Sequence, residues 1–246
     1  MTVSASVKHP ENLLRIDRGY IVAWGRREAW LWLCYGVLLT ASLATAAFRY
    51  SAFWALGFLV SVPLTALLIL FFRNPRRQVP EEPGLLVSPA DGTVTDIAEV
   101  DEPGFLRGPA VRIGIFLSIF SVHVNRAPAS GRVERVEHRD GAHHDARKPA
   151  CAAENESNCI GILREDSGGP DGVRLLVKQI SGAIAKRIVC PLEPGMAVAR
   201  GGLVGMIKYG SRTELYIPVD AGARIRVKIG EKVSGGATVL ADFPQG

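Results

Sequence analysis

The chain has 246 residues, a formal charge of +5 and 48% hydrophobic residues, enough for one or two domains. Its four cysteines form no CxxC pair and have no zinc-finger spacing, which argues against a disulfide scaffold or a structural zinc site. The mild positive excess suits work against an anionic bilayer surface.

The apolar excess is concentrated early. Ala29 to Phe48 is an uncharged run of 20 residues, and Ser51 to Phe72 adds 22 more after Arg49 and Tyr50. At about 1.5 Å per residue the first run spans about 30 Å, the thickness of a hydrocarbon core. Pro63 lies within the second run, where a kink is tolerated in lipid. The first run starts too deep in the chain, and lacks the cleavage pattern, for a signal peptide. Arg15, Arg18, Arg26 and Arg27 precede the pair and Arg73, Arg76 and Arg77 follow it, so both ends are expected on the cytoplasmic side. Trp24, Trp30, Trp32 and Trp54 lie near the predicted ends, as an aromatic belt would place them. A re-entrant hairpin and a helical pair buried in a soluble core are the alternatives. The expected organisation is a cytoplasmic segment 1–28, a two-helix membrane hairpin 29–72, a Pro-rich joint 73–84 and a domain 85–246 held at the cell membrane.

Beyond the joint the pattern changes to short apolar runs between Gly and Pro. Val111 to Phe120 reads as a buried strand. Val173–Ile180 and Ala185–Val189 flank Ser181-Gly182 and read as a hairpin. Ala223 to Ile229 alternates strictly, with Ile225, Val227 and Ile229 on one face and Arg224, Arg226 and Lys228 on the other. That basic face is either a solvated strand or a surface for lipid headgroups. A G-x-x-V-x-x-G-x-x-V pattern occurs at Gly195–Val204 and again at Gly230–Val239, a rhythm suited to tight turns feeding short strands. It is similar to the half-motif of biotinyl/lipoyl-like folds. The expected fold is therefore mainly β, a biotinyl/lipoyl-like β-sandwich hybrid of two interlocked half-motifs.

The chemistry is sought in Lys208-Tyr-Gly-Ser-Arg-Thr-Glu-Leu-Tyr-Ile-Pro218. A Gly-Ser pair alone reads as a turn, but here it stands between two strand candidates. Three further segments stand in order before it: Val87-Ser-Pro-Ala-Asp91-Gly92, Leu117-Ser-Ile-Phe-Ser-Val-His123-Val-Asn-Arg-Ala-Pro128, and Ala153-Glu-Asn-Glu-Ser-Asn158. Together these resemble the short-form phosphatidylserine decarboxylases, over about Phe72 to Phe243. The resemblance implies an enzyme that cuts itself between Gly210 and Ser211, into chains 1–210 and 211–246 that stay associated. It implies a pyruvoyl cofactor made from Ser211, a Schiff base between that group and the substrate amine, and conversion of phosphatidylserine in the membrane to phosphatidylethanolamine and carbon dioxide. Diacyl and ether-linked lipids both fit.

Amino acid decarboxylation builds up a carbanion, and a conjugated carbonyl supplies the electron sink it needs. Glycine before the nucleophile leaves the scissile carbonyl unshielded and tolerates unusual backbone angles. His123 is the candidate base for Ser211, and Asp91 the candidate that orients its imidazole. Longer-form relatives carry two histidines three residues apart; here these positions are His123 and Arg126. Arg126 is a candidate for binding the lipid phosphate or carboxylate. His143 and His144 are either part of a solvated loop or near the substrate as proton donors. No metal and no nucleic-acid partner are expected, and assembly into an oligomer stays open. A lipoyl-type carrier modified at Lys208, a zinc peptidase (for which no H-x-H pair exists) and a non-catalytic anchor are the rivals.

Overall fold

The computed structural model describes residues 19–144, 154–166, 168–169, 172–183, 187–208 and 211–244, which divide into two compact units, Gly19–Pro75 and Arg76–Gly246. The N-terminal segment before residue 19 and Cys151 lie outside the described residues.

The first unit is a helical hairpin of α1 (Arg26–Arg49) and α2 (Trp54–Leu70). Gly36 packs on Thr65, Thr40 hydrogen-bonds Ser61 at 3.0 Å, and Gly57 lies against Leu43. As one residue number rises the other falls, so the helices run antiparallel. Gly36 brings the backbones close, because a Cβ there would lie 2.2 Å from the Thr65 side chain. The open ends are fastened by Val22 N–H to Phe72 O and Asn74 N–H to Tyr20 O. The outward faces are apolar, with Leu38, Leu59 and Val60 all more than half exposed. With its short 3-10 lead-in, the first helix (Ala23–Arg49) is long and apolar enough to cross a membrane; α2 is shorter, at 17 residues.

The second unit is β throughout. Its strands are β1 (Leu85–Val87), β2 (Gly92–Glu102), β3 (Gly108–Leu117), β4 (Val124–Arg126), β5 (Gly131–Arg139), β6 (Ser157–Arg164), β7 (Arg174–Ser181), β8 (Arg187–Val189), β9 (Ala197–Val198), β10 (Leu203–Lys208), β11 (Ser211–Pro218), β12 (Arg224–Ile225), β13 (Lys232–Val233) and β14 (Val239–Asp242). An eight-stranded antiparallel sheet has the order β13-β2-β3-β11-β7-β6-β5-β9, and two three-stranded sheets, β1-β14-β12 and β4-β10-β8, complete the unit. Ile113, Ile115, Leu117, Ile160, Ile162, Leu175, Val177, Leu215 and Ile217 line one core at 0–1% exposure.

The repeated Gly and Val pattern has a structural counterpart. Gly195 and Gly230 have φ of 92° and 90°, and Gly201 and Gly236 have 73° and 77°, a region that favours glycine. Val198 and Val233 fall in β9 and β13, the two edge strands of the large sheet, opposite Gly131 and Gly92. Val204 and Val239 fall in the strands that follow. The two halves also exchange backbone hydrogen bonds reciprocally, Val87 N–H to Pro128 O and Arg126 N–H to Pro89 O. The chain is thus mainly β, and the two copies of the pattern take corresponding places in it.

Three expectations change. The strand read to Phe120 stops at Leu117, because the chain turns with Ser121 N–H on Ser118 O. The hairpin read across Ser181-Gly182 is not formed: β7 pairs with β6 and β11, and β8 pairs with β10 in another sheet. The alternating run 223–229 keeps only a two-residue strand; Arg224 and Arg226 both bind Asp242, and Ile229 is 64% exposed in a turn.

Candidate active site

Ser211 opens β11, opposite Leu117 on one side and Ser181 on the other. Alternation sends Ser211, Thr213, Leu215 and Ile217 to the interior face, with the last two in the core. Ser211 is fully buried, and its Oγ has no hydrogen-bond partner among the described residues. It is the only side-chain hydroxyl so left there; the other such atoms belong to arginines and Asp166, all within ion pairs. Buried hydroxyls are nearly always bonded, and leaving one orphaned costs about 1–3 kcal/mol. Gly210, the other half of the expected scissile bond, lies outside the described residues.

Two residues on, Thr213 is satisfied. Asn125 Nδ2 on β4 donates to Thr213 Oγ1 at 2.9 Å, Gln179 Nε2 donates to Asn125 Oδ1 at 2.8 Å, and Asn158 Nδ2 donates to Gln179 Oε1 at 2.9 Å. This buried amide chain ties the β4-β10-β8 sheet to the inner face of the large one. The ladder of β4 and β10 continues one step past Val124, where Ile207 N–H donates to His123 O. His123 therefore projects from the same face as Asn125, as Ser211 does with Thr213, and both enter the same interior. His123 is fully buried, and its Nδ1 lies 3.0 Å from Ser121 O. A carbonyl only accepts, so Nδ1 carries a proton at this contact.

Asp91 was expected to orient that ring, and it is engaged elsewhere. Its Oδ2 takes Arg77 at 2.6 Å and its Oδ1 takes Gly235 N–H at 2.8 Å. At the equivalent place in the other half, Ser130 Oγ accepts Arg200 N–H at 3.0 Å. Half of Asp91's bonding is thus the turn-capping that both halves share. Arg126 leaves β4 on the face opposite Asn125 and donates to Gly201 O at 2.8 Å. Burial first, and then the neighbouring Arg77, lower its pKa to about 10, against the opposing pull of Asp91. The ion-pair partner of Asp91 is therefore Arg77, and Arg126, at the position where longer-form relatives keep a second histidine, feels its charge.

His143 is drawn in and His144 is not. His143 Nδ1 lies 3.1 Å from Ser181 Oγ, and Ser181 is the cross-strand neighbour of Ser211. His144 points to Glu154 at 3.3 Å on the surface. Asn155, fully buried, staples the segment by donating to His144 O and Ser181 O and accepting from His144 N–H. Asp145, Arg147 and Lys148 lie outside the described residues. Asn125 and Asn155 stand in segments singled out by sequence, but Gln179 and Ser181 were not anticipated as site residues, because only the fold brings them near β11.

The outer face of β11 is charged and closed. Arg212, 1% exposed, bonds Asp96, Glu214 at 2.8 Å and Thr95 at 2.8 Å. Burial alone would raise the pKa of Asp96, but Arg212, Thr95 and Arg112 together hold it below the ordinary carboxylate value. Burial, with the charge of Glu214, pushes the Tyr216 phenol well up. Residue 211 is thus held by two strands and by the anchored side chain that follows it.

A buried serine hydroxyl with no partner among the described residues opens β11 of a mainly β unit, and a fully buried histidine precedes β4. Comparison with known proteins places the chain. The phosphatidylserine decarboxylase family model matches residues 64–241. The phosphatidylserine decarboxylase proenzyme of Carboxydothermus hydrogenoformans is 48% identical over 76% of this chain and 84% of its own. The proenzymes of Rhodopirellula baltica and Cupriavidus pinatubonensis are 44% and 36% identical, over 85% and 89% of this chain and 85% and 95% of theirs. The chain belongs to the phosphatidylserine decarboxylase family.

Proposed function

We propose that this chain is the proenzyme of a membrane-anchored phosphatidylserine decarboxylase that cuts itself between Gly210 and Ser211. The observation that carries this reading is the buried Ser211 Oγ, a hydroxyl with no partner among the described residues at the start of a central strand. His123 Nε2 takes the hydroxyl proton, and Oγ attacks the Gly210 carbonyl carbon. The C–N bond breaks and an ester joins residue 210 to Oγ. Loss of the Cα proton of residue 211 expels the carboxylate of Gly210. Hydrolysis of the resulting dehydroalanine releases ammonia and leaves a pyruvoyl group on the new chain 211–246.

Residue 211 fits that group: its side chain faces a dry interior, and β3, β7 and Arg212 hold it once the chain is cut. When formed, the pyruvoyl carbonyl supplies the electron sink for decarboxylation. His123 then faces the reacting carbon. His143, 38% exposed at its side chain, connects solvent to residue 211 through Ser181 and supplies the proton that replaces carbon dioxide. Asp91 caps the turn at Gly235 and balances the charge of Arg77 and Arg126.

The substrate is phosphatidylserine and the product phosphatidylethanolamine. Exposed apolar faces on the helical hairpin, joined through Gly and Thr/Ser contacts, suit helices packed in lipid. Arginines at both ends favour a cytoplasmic catalytic unit. The equivalent halves support a biotinyl/lipoyl-like relationship. Intact mass spectrometry tests the reading. Two chains are expected, with 211–246 lighter by one ammonia than a serine-initiated peptide and reactive toward hydroxylamine. A single uncut chain, or an ordinary N-terminal serine, refutes it.

A further inference from the structure

Among the described residues of the β unit, four large apolar residues are exposed: Ile119, Phe120, Val219 and Ile229, between 38% and 65%. Three of them lie toward the C-terminal end of β3. Ile119 and Phe120 form the tip of the turn that leaves β3 at Leu117, the residue opposite Ser211, and returns to His123. Ile229 lies in the turn fastened to β2 by Val94 N–H on Glu231 O and Gly230 N–H on Val94 O. Val94 is level with Ile115, two residues before Leu117, so this turn lies at the level of the last residues of β3. Val219 follows Pro218 at the far end of β11.

Cations flank these tips. Lys228 and Lys232 are exposed on either side of Ile229, with Glu231 the one acid between them. Arg187, also exposed, pairs with Lys208, next to the stretch leading to Ser211. Apolar tips ringed by basic side chains match the two layers of an anionic bilayer surface: acyl carbons below, phosphates above.

We propose that this end of the β unit is a docking face for an anionic phospholipid bilayer, with Ile119, Phe120 and Ile229 dipping below the headgroups. The face acts separately from the helical hairpin. The hairpin tethers the chain; the docking face turns the mouth of the site toward the interface, so that a headgroup reaches residue 211 while its acyl chains stay in lipid. The inference rests on the decarboxylase reading above.

The test compares two substrates with the full-length protein in bilayers. One is phosphatidylserine in vesicles; the other is a short-chain phosphatidylserine kept monomeric in water. Ile119→Ser/Phe120→Ser and, separately, Ile229→Asp are expected to lower turnover of the vesicle lipid at least tenfold. Turnover of the monomeric lipid should stay within twofold of wild type, and self-cleavage should be complete. A vesicle rate that stays within twofold of wild type in both variants overturns the proposal. So does an equal loss on both substrates, which would mark the tips as supports of the site. If the double variant fails to self-cleave, Ile229→Asp decides by the same comparison, because it lies outside the turn that carries His123. A wild-type protein inactive on both lipids refutes the decarboxylase reading and this inference with it; activity on the monomeric lipid with indifferent tips refutes docking alone.

Discussion

Ser211→Ala removes the nucleophile, and the structure also assigns it an effect on stability. The Oγ of Ser211 is buried with no partner among the described residues. Folding therefore strips it of water without return, at a cost of about 1–3 kcal/mol. Removing one oxygen leaves only a small void, so the uncleaved chain should gain about 1–2 kcal/mol. For a unit of this size that raises the melting temperature by about 2–8 °C. Wild type cuts itself, so the comparison needs an uncut background. His123→Gln supplies it, and Ser211→Ala is measured in that background by thermal unfolding in detergent. An unchanged or lower melting temperature refutes the idea that the hydroxyl is held in an unsatisfied state. Cleavage in the His123→Gln protein refutes its role as base.

The other predictions concern neighbouring groups. Glu214→Gln leaves the buried Arg212 and the adjoining Arg112 with one anion, Asp96, and should cost about 3–5 kcal/mol in chemical unfolding; a loss under about 1 kcal/mol would show that the cluster relaxes or takes up water. His143→Phe should cut completely yet lower turnover about 10²-fold and alter the pH–rate profile, and Ser181→Ala should match it because it cuts the same relay. Turnover within threefold of wild type in both variants removes His143 from the reaction. Hydrogen bonds from Arg224 and Arg226 hold the Asp242 carboxyl well below its usual range. That contribution is present above the unfolded carboxylate value of about 3.9 and is lost as pH falls toward the lower folded value. Asp242→Asn should therefore flatten the acid limb of the melting curve against pH, and an unaltered limb would mean that Asp242 does not carry it.

What could be read from the sequence is what repeats locally. Uncharged runs of helical length marked the hairpin, and alternation marked most strands. The Gly and Val rhythm located the two halves because each glycine answers to a local requirement, a positive φ. Ser211 was legible through a resemblance of ordered motifs, and its burial is consistent with that. Partners far apart in sequence were not legible. Arg224 and Arg226 looked like a free basic face because Asp242, which binds both, follows two turns later. Ser181 looked like the turn of a hairpin, yet it ends a strand beside Ser211 and carries the contact to His143.

Asp91 shows how much of a residue's surroundings motif order leaves unsaid. A sequence offering Asp, His and Ser in turn invites a relay, and only the duplicated architecture separates the parts. The amide of Gly235 on Asp91 repeats the amide of Arg200 on Ser130, so capping by an oxygen at this place belongs to both halves of the fold. What is particular to Asp91 is its negative charge, and that charge falls on Arg77 and Arg126. On the reading proposed above, the proton chemistry at residue 211 falls to His123, whose Nδ1 donates its proton to a hydrogen bond with the Ser121 carbonyl.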